Sequence, residues 1–116
     1  ELNLDDNKKL YQKVIETSKT WKNSSRIMYV VGAKNTKEIR KIRDMVPDSY
    51  LLIPGFGAQG GNMAEICKQG LDKNLKLIIN SSRSIIYASL NDDFAKCAAK
   101  EAKKIRDEME NYINAL

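Results

Sequence analysis

Apolar residues occur in this chain in two patterns: short continuous runs, and longer stretches in which they recur every three or four positions. Continuous runs rich in branched side chains are typical of buried β-strands, and recurrence at helical spacing is typical of amphipathic helices. The predicted strands lie at 27–33, 50–53 and 75–79, and the predicted helices lie at 4–18, 36–46, 62–70, 84–88 and 92–112. Strands therefore begin every 23 to 25 residues, which predicts consecutive right-handed βα units and a parallel sheet.

The residues that flank these helices support their boundaries. Asn35 with Glu38, and Asn62 with Glu65, have the spacing of a capping box, and Gly70 is predicted to end the third helix. Strands this apolar are expected to be covered on both faces, yet a three-stranded sheet leaves two edges open. The chain is therefore predicted to be part of something larger, such as a barrel, a half-domain or a segment that depends on association.

Composition narrows the class of protein. The chain has 116 residues, is 42% apolar and shows no linker, so residues 1–116 are predicted to form one segment without an internal domain boundary. The net charge is +5, but basic and acidic side chains alternate along helix faces, which does not favour nucleic-acid binding. No run approaches the roughly 18 apolar residues of a membrane span, and we expect a cytoplasmic location without a membrane partner.

Metal and redox chemistry find little support in the sequence. There is no histidine, and Cys67 and Cys97 stand alone within helical patterns. We therefore expect buried free thiols and neither a metal site nor a redox pair.

The glycine-rich stretch at 54–61 is the most informative loop. Read literally, residues 55–60 match G-x-G-x-x-G after a strand and before a helix, the fingerprint of dinucleotide-binding folds, and Arg83 after the next strand could contact the 2′-phosphate of NADP. Pro54 before the first glycine, and the single strand that follows, argue against a complete fold of that kind.

The alternative is a barrel phosphate site, built from two successive strand-to-helix loops and the start of a short extra helix. Gln59 offers an uncharged donor, Arg83 offers a guanidinium that can bind phosphate with two hydrogen bonds, and the Ser82 and Arg83 amides precede the 84–88 helix. Glycines let backbone amides approach such a ligand, and they stand at Gly55, Gly57, Gly60 and Gly61.

These loops, Pro54 to Gly61 and Asn80 to Ala88, together with Val30-Val31-Gly32-Ala33, closely resemble orotidine 5′-phosphate decarboxylase, particularly its longer bacterial-type subfamily. The resemblance runs from Val30 onward. It implies an α/β fold comprising the C-terminal three βα units of a TIM (β/α)8 barrel, preceded by one helix.

The resemblance also implies roles for individual residues. Gln59 and Arg83 would bind the substrate's 5′-phosphate, with Ser82 and Gly60 beside them. Pro54 would lie against the pyrimidine and Phe56 would line its pocket, in a loop that closes on the ligand through Gly55, Gly57 and Gly61. A homodimer, and conversion of orotidine monophosphate to UMP without a cofactor, are implied as well.

The family's catalytic Asp-x-Lys-x-x-Asp stretch is absent from these residues. Asp6-Asn7-Lys8 imitates its first half, but Tyr11 stands where the second aspartate should be. We therefore predict a phosphate-binding segment that is inactive alone, with the catalytic groups of this carboxy-lyase outside it. The other hypotheses are an NADP-binding half-domain and a non-catalytic phosphate-binding module.

Overall fold

The computed structural model describes residues 8–34, 36–56 and 62–116. A 3-10 turn at Ser24–Arg26 precedes the first strand. The remaining elements in chain order are α1 (Leu10–Lys19), β1 (Tyr29–Val30), α2 (Thr36–Met45), β2 (Leu51–Ile53), α3 (Met63–Gly70), β3 (Leu77–Ile79), α4 (Arg83–Ile86) and α5 (Phe94–Ile113).

The described strands form one parallel sheet in the order β1-β2-β3. Each strand is followed by a helix, so the prediction of consecutive βα units is confirmed. The strands are shorter than predicted: β1 covers two residues, where the apolar run covers 27–33. Pairing continues beyond it, since the Val31 amide donates to the Leu52 carbonyl at 2.8 Å.

The two faces of the sheet differ in burial. Successive side chains of a strand point to opposite faces, and Leu51, Ile53 and Leu77 are buried on the face that the helices cover. Val30, which is 69% exposed, and Ile78, which is 39% exposed, flank Leu52 in register on the other face. Within the described ranges no helix covers this second face, as expected if the chain is part of something larger.

Helices α2 and α3 supply the main cover of the buried face. Ile39 of α2 and Ile66 of α3 are fully buried there. The predicted cap of α3 is confirmed on one side, because the Glu65 amide donates to the Asn62 side chain at 3.3 Å. Asn35, the predicted cap of α2, lies outside the described residues.

Gly70 ends α3, as predicted, with Leu71 as the cap residue. Its φ is not in the left-handed region, so the turn out of the helix does not by itself require a glycine. A Cβ atom at Gly70 would lie 3.0 Å from Leu77 Cδ1 and 3.2 Å from Ile39 Cγ2. Close packing of α3 against β3 and α2 therefore explains the glycine.

Helix α1 begins at Leu10, later than the predicted range of 4–18, and Lys9 precedes it with its amide bonded to Gln12 Oε1 at 2.9 Å. It is joined to α2 through Glu38, which accepts from the Tyr11 hydroxyl and from Lys9 Nζ at 2.9 Å. The hydrogen bond from Tyr11, followed by that from Lys9, lowers the pKa of Glu38 to about 2.

Arg43 of α2 is buried, which the alternating charges of this helix did not indicate. Its Nε donates to the Gly70 carbonyl at 3.0 Å, its Nη1 to the Ser49 carbonyl at 2.8 Å and its Nη2 to the Lys76 carbonyl at 2.7 Å. Burial lowers the pKa of Arg43, although the charge of Asp72 opposes this. One guanidinium thus connects the ends of α2 and α3 to the starts of β2 and β3.

Helix α5 matches the predicted long helix at 92–112 within two residues. Its apolar side is only partly used: Ile105, Met109 and Tyr112 pack against the core, whereas Phe94 is 60% exposed. A helix of this length, roughly 30 Å, extends beyond a three-stranded sheet. In the described part of the chain, no helix combines the length and the apolar character needed to cross a bilayer.

Candidate functional site

The carboxyl ends of β2 and β3 bring the two predicted loops side by side. Ile53 pairs with Ile79 in the parallel register, so the loop that begins at Pro54 adjoins the loop that begins at Asn80. Ligands of parallel α/β folds bind at this edge of the sheet. The described parts of both loops thus occupy the position that the sequence predicts for a ligand site.

Hydrogen bonds join the two loops directly. The Asn80 amide donates to the Ile53 carbonyl at 3.0 Å, and the Phe56 amide donates to the Asn80 carbonyl at 3.2 Å. The Ser81 hydroxyl donates to the Phe56 carbonyl at 3.1 Å. The loops therefore form one connected unit.

Pro54, Gly55 and Phe56 begin the loop after β2. Gly55 has φ of 74°, in the left-handed region that glycine adopts without the strain of a side chain. Phe56 is half-buried and packs against the edge of the hydrophobic core. This packing anchors the start of the loop, and contact of Pro54 and Phe56 with a pyrimidine stays a prediction.

The predicted short helix is present as α4, which begins at Arg83 with Ser82 as the preceding cap residue. The Ile85 and Ile86 amides bond to the Ser82 carbonyl, at 3.1 and 2.8 Å. The Ser82 hydroxyl is turned to Asn80 Oδ1 at 3.2 Å and does not cap the helix.

Arg83 is exposed at this helix start. Among the described residues it forms no ion pair, in contrast to Arg40 and Arg106, which lie near aspartates. A guanidinium without a carboxylate partner is available to an anionic ligand. Gln59, Gly57, Gly60 and Gly61 lie outside the described residues, so their contribution to the site stays a prediction.

Other candidate chemistry finds no support. Lys8 pairs with Glu16 at 2.9 Å, as expected of a surface lysine, and Asp6 lies outside the described residues. The described ranges hold no group of three or more cysteine, aspartate or glutamate residues suited to a metal ion.

The two cysteines differ in burial. Cys67 is buried, as predicted, and burial raises its pKa to about 11. Cys97 is only partly buried, so that expectation is wrong for it, because its thiol donates to Asp93 Oδ2 at 3.3 Å at the exposed start of α5. This bond raises the pKa of Cys97, so neither thiol has the lowered pKa of a reactive nucleophile.

Sequence reasoning missed the residue that connects the two loops. Ser81 bonds to Phe56 and also lies 2.5 Å from the Ser84 hydroxyl, whereas the sequence favoured Ser82. The spacing of Ser81 and Ser84, three residues apart at a helix start, was the available signal.

The strand order does not by itself separate a barrel from a dinucleotide-binding half-domain, because both contain parallel strands in sequential order. The fold and the joined loops define a class: consecutive βα units of a parallel α/β protein with a candidate ligand edge at the carboxyl ends of the strands. Comparison with known proteins narrows this class.

Over 106 residues the chain is 53% identical to orotidine 5′-phosphate decarboxylase of Flavobacterium johnsoniae, a match that covers 91% of this chain and 39% of the relative. The enzyme of the same name from Christiangramia forsetii is 50% identical over 109 residues, covering 94% and 40%. The chain is therefore related to the orotidine 5′-phosphate decarboxylases over nearly its whole length and spans about two fifths of theirs. A comparison with protein-family models finds no match.

The comparison with solved structures points to the same enzymes. The chain resembles the structure of Leishmania donovani UMP synthase with a TM-score of 0.71 and 28% identity, covering 90% of this chain and 23% of that one. For Leishmania donovani OMP decarboxylase the TM-score is 0.69 at 25% identity, with coverage of 91% and 40%. The predicted relationship and the predicted fold class, part of a (β/α)8 barrel, are confirmed.

Proposed function

We propose that this chain is the phosphate-binding part of an orotidine 5′-phosphate decarboxylase, which converts orotidine monophosphate to UMP and CO2 in pyrimidine biosynthesis. The observation that carries the proposal is the junction of the two loops at the carboxyl edge of the sheet, with the exposed Arg83 at the start of α4. The identity of 53% to a relative of that name supports it.

The chemistry of the segment fits binding better than catalysis. The side chain that bonds across the two loops is the Ser81 hydroxyl, which also contacts the Ser84 hydroxyl, and Arg83 is the cation at the helix start. These groups suit a phosphate and supply no proton donor for the pyrimidine carbon. We place the catalytic aspartates and lysines outside these residues and expect the segment alone to be inactive.

There is a physical advantage in placing phosphate binding and the reaction at the pyrimidine carbon on different residues. Contacts with a phosphate remote from the reacting carbon provide binding energy that can close the site and stabilise the transition state. In this scheme Arg83 and Gln59 hold the phosphate, while Pro54 and Phe56 contact the base. No cofactor is required.

The open face of the sheet indicates where the remainder of the barrel packs. The exposed row that contains Val30 and Ile78 is the face toward which the remainder of a barrel would pack. From the resemblance to the orotidine 5′-phosphate decarboxylases we propose a homodimer of complete barrels in the cytoplasm, and light scattering of the full-length protein tests its oligomeric state. By full-length protein we mean this chain together with the residues that complete the length of its relatives.

Arg83→Ala in the full-length protein tests the site. We expect UMP affinity measured by calorimetry to fall by about 2 to 4 kcal/mol, because the phosphate loses a charged partner. Arg83→Lys should retain part of the affinity, since an ammonium cannot form the paired hydrogen bonds of a guanidinium.

Arg106→Ala is the matched control, because Arg106 is also exposed but lies on α5 beside Asp107. UMP affinity should not change in this variant. Equal affinities for Arg83→Ala and the wild type would refute the assignment of Arg83. A wild-type protein that binds NADPH more tightly than UMP would refute the proposed function.

A further inference from the structure

Ser81 belongs to the loop after β3 and bonds both to the loop after β2 and to α4. Its hydroxyl donates to the Phe56 carbonyl at 3.1 Å, and its oxygen lies 2.5 Å from the Ser84 hydroxyl oxygen on α4. The sequence-derived site contains Ser82 and Arg83 but not Ser81.

The direction of this chain of hydrogen bonds is determined by chemistry. A carbonyl oxygen only accepts, so Ser81 donates its single proton to Phe56 and must accept from Ser84. The path therefore runs from α4, the helix that begins with Arg83, to the loop after β2. Consecutive hydroxyl bonds in one direction polarise and strengthen one another.

The bond from Ser81 adds a constraint that the backbone alone lacks. The Phe56 amide is already held by the Asn80 carbonyl at 3.2 Å, and one hydrogen bond leaves the residue free to pivot about it. A second bond to the Phe56 carbonyl holds the peptide group that leads into residues 57–61. These residues contain Gln59 and Gly60, the predicted phosphate contacts.

We infer that Ser81 is a positioning residue: by holding the Phe56 carbonyl, it fixes residues 54–56, the start of the loop after β2, against α4, the helix that begins with Arg83. The predicted phosphate contacts Gln59 and Gly60 follow this start in the sequence, so the fit of the phosphate between them and Arg83 depends on it. The inference rests on the proposed function and deepens it. Ser81 itself need not touch the ligand.

The test compares UMP with uridine, which lacks the phosphate, in calorimetry of the full-length protein. For Ser81→Ala we expect the Kd of UMP to rise about fivefold, as for the loss of one ordinary hydrogen bond, with the Kd of uridine unchanged. Ser81→Thr keeps the hydroxyl and should restore UMP binding. Ser84→Ala removes the donor to Ser81 and should produce a smaller rise.

Ser89→Ala is the matched control, because Ser89 donates to Asp93 Oδ1 in the loop before α5 and belongs to neither the loop after β2 nor the loop after β3. It should bind both ligands as the wild type does. Thermal unfolding of each variant separates a loss of stability, which would weaken both ligands equally, from a loss of positioning.

Two results would overturn the role of Ser81: no change in UMP affinity for Ser81→Ala, or an equal loss for UMP and uridine. If Ser81→Ala does not fold, an unchanged UMP affinity in Ser84→Ala refutes the inference. A wild-type protein that binds neither UMP nor uridine refutes the proposed function and the role of Ser81 together.

Discussion

The buried guanidinium of Arg43 offers the sharpest test of the fold, and Arg43→Met is the perturbation. Methionine fills much of the same volume without a charge, so the change removes hydrogen bonds to five backbone carbonyls. The three shortest reach Ser49, Gly70 and Lys76, and two of 3.3 Å reach Val46 and Pro47. These carbonyls belong to the end of α3 and to the helix-to-strand connections that precede β2 and β3, at the amino ends of the strands. The free energy of unfolding should therefore fall.

The magnitude follows from the geometry. Three bonds of 2.7 to 3.0 Å from a charged donor are each worth about 1.5 to 3 kcal/mol. Relief of the desolvation penalty of the guanidinium, several kcal/mol, offsets much of that sum. The bond to Gly70 is fully buried, and an unpaired carbonyl there costs about 1 to 3 kcal/mol. We expect a net loss of about 2 to 4 kcal/mol, within the range for a broken buried network.

Urea unfolding of the full-length protein, followed by circular dichroism, measures this loss. Arg40→Met is the matched control, one turn earlier on α2. The Arg40 side chain is 44% exposed, donates to the Lys68 carbonyl at 3.0 Å and lies 3.7 Å from Asp44, so its loss should cost less than about 1 kcal/mol. Equal losses for the two variants would refute the reasoning that the buried network stabilises the fold.

Two further predictions concern stability. In the folded protein the pKa of Glu38 is lowered from 4.5 to about 2. The Glu38 carboxylate therefore stabilises the fold above pH 4.5, and this stabilisation is lost as the pH falls toward 2. The difference in urea midpoint between wild type and Glu38→Gln should shrink over that window. Asp44→Asn, also on α2, should show a smaller change, and a difference independent of pH would contradict the assignment. Gly70→Ala should lower the unfolding free energy by about 1 to 3 kcal/mol through overpacking against Leu77. Gly32→Ala, with nothing within 4 Å of the added Cβ, should be neutral in the same measurement, and equal effects of the two would exclude packing as the cause.

Much of the fold was readable from the sequence because it depends on local patterns. Apolar runs and helical spacing identified three strands and the helices after them, and α4 was predicted as a short helix one residue later than it begins. The predicted first and last residues of the elements were less accurate than the order and type of the elements. Helix α1 begins several residues after the predicted start, since periodicity cannot show where tertiary packing stops supporting a helix.

For the candidate site, the sequence determined which residue types follow each strand, and a parallel sheet requires that both loops meet at one edge. Arg83 is at the helix start that was predicted for it. Ser81 was indistinguishable from Ser82 by residue type alone. Only the distance of its hydroxyl from the Phe56 carbonyl, 25 positions away, separates the two.

By itself, then, the sequence determined the order of βα units, the chemistry of their loops and the relationship to the orotidine 5′-phosphate decarboxylases, because these depend on residue identity and short-range spacing. Only the tertiary structure decided that Arg43 is buried, that Gly70 packs closely against Leu77 and Ile39 and that the described residues leave one face of the sheet open. Burial and hydrogen bonding between distant residues depend on how the elements are packed together, and no local pattern of residues encodes that.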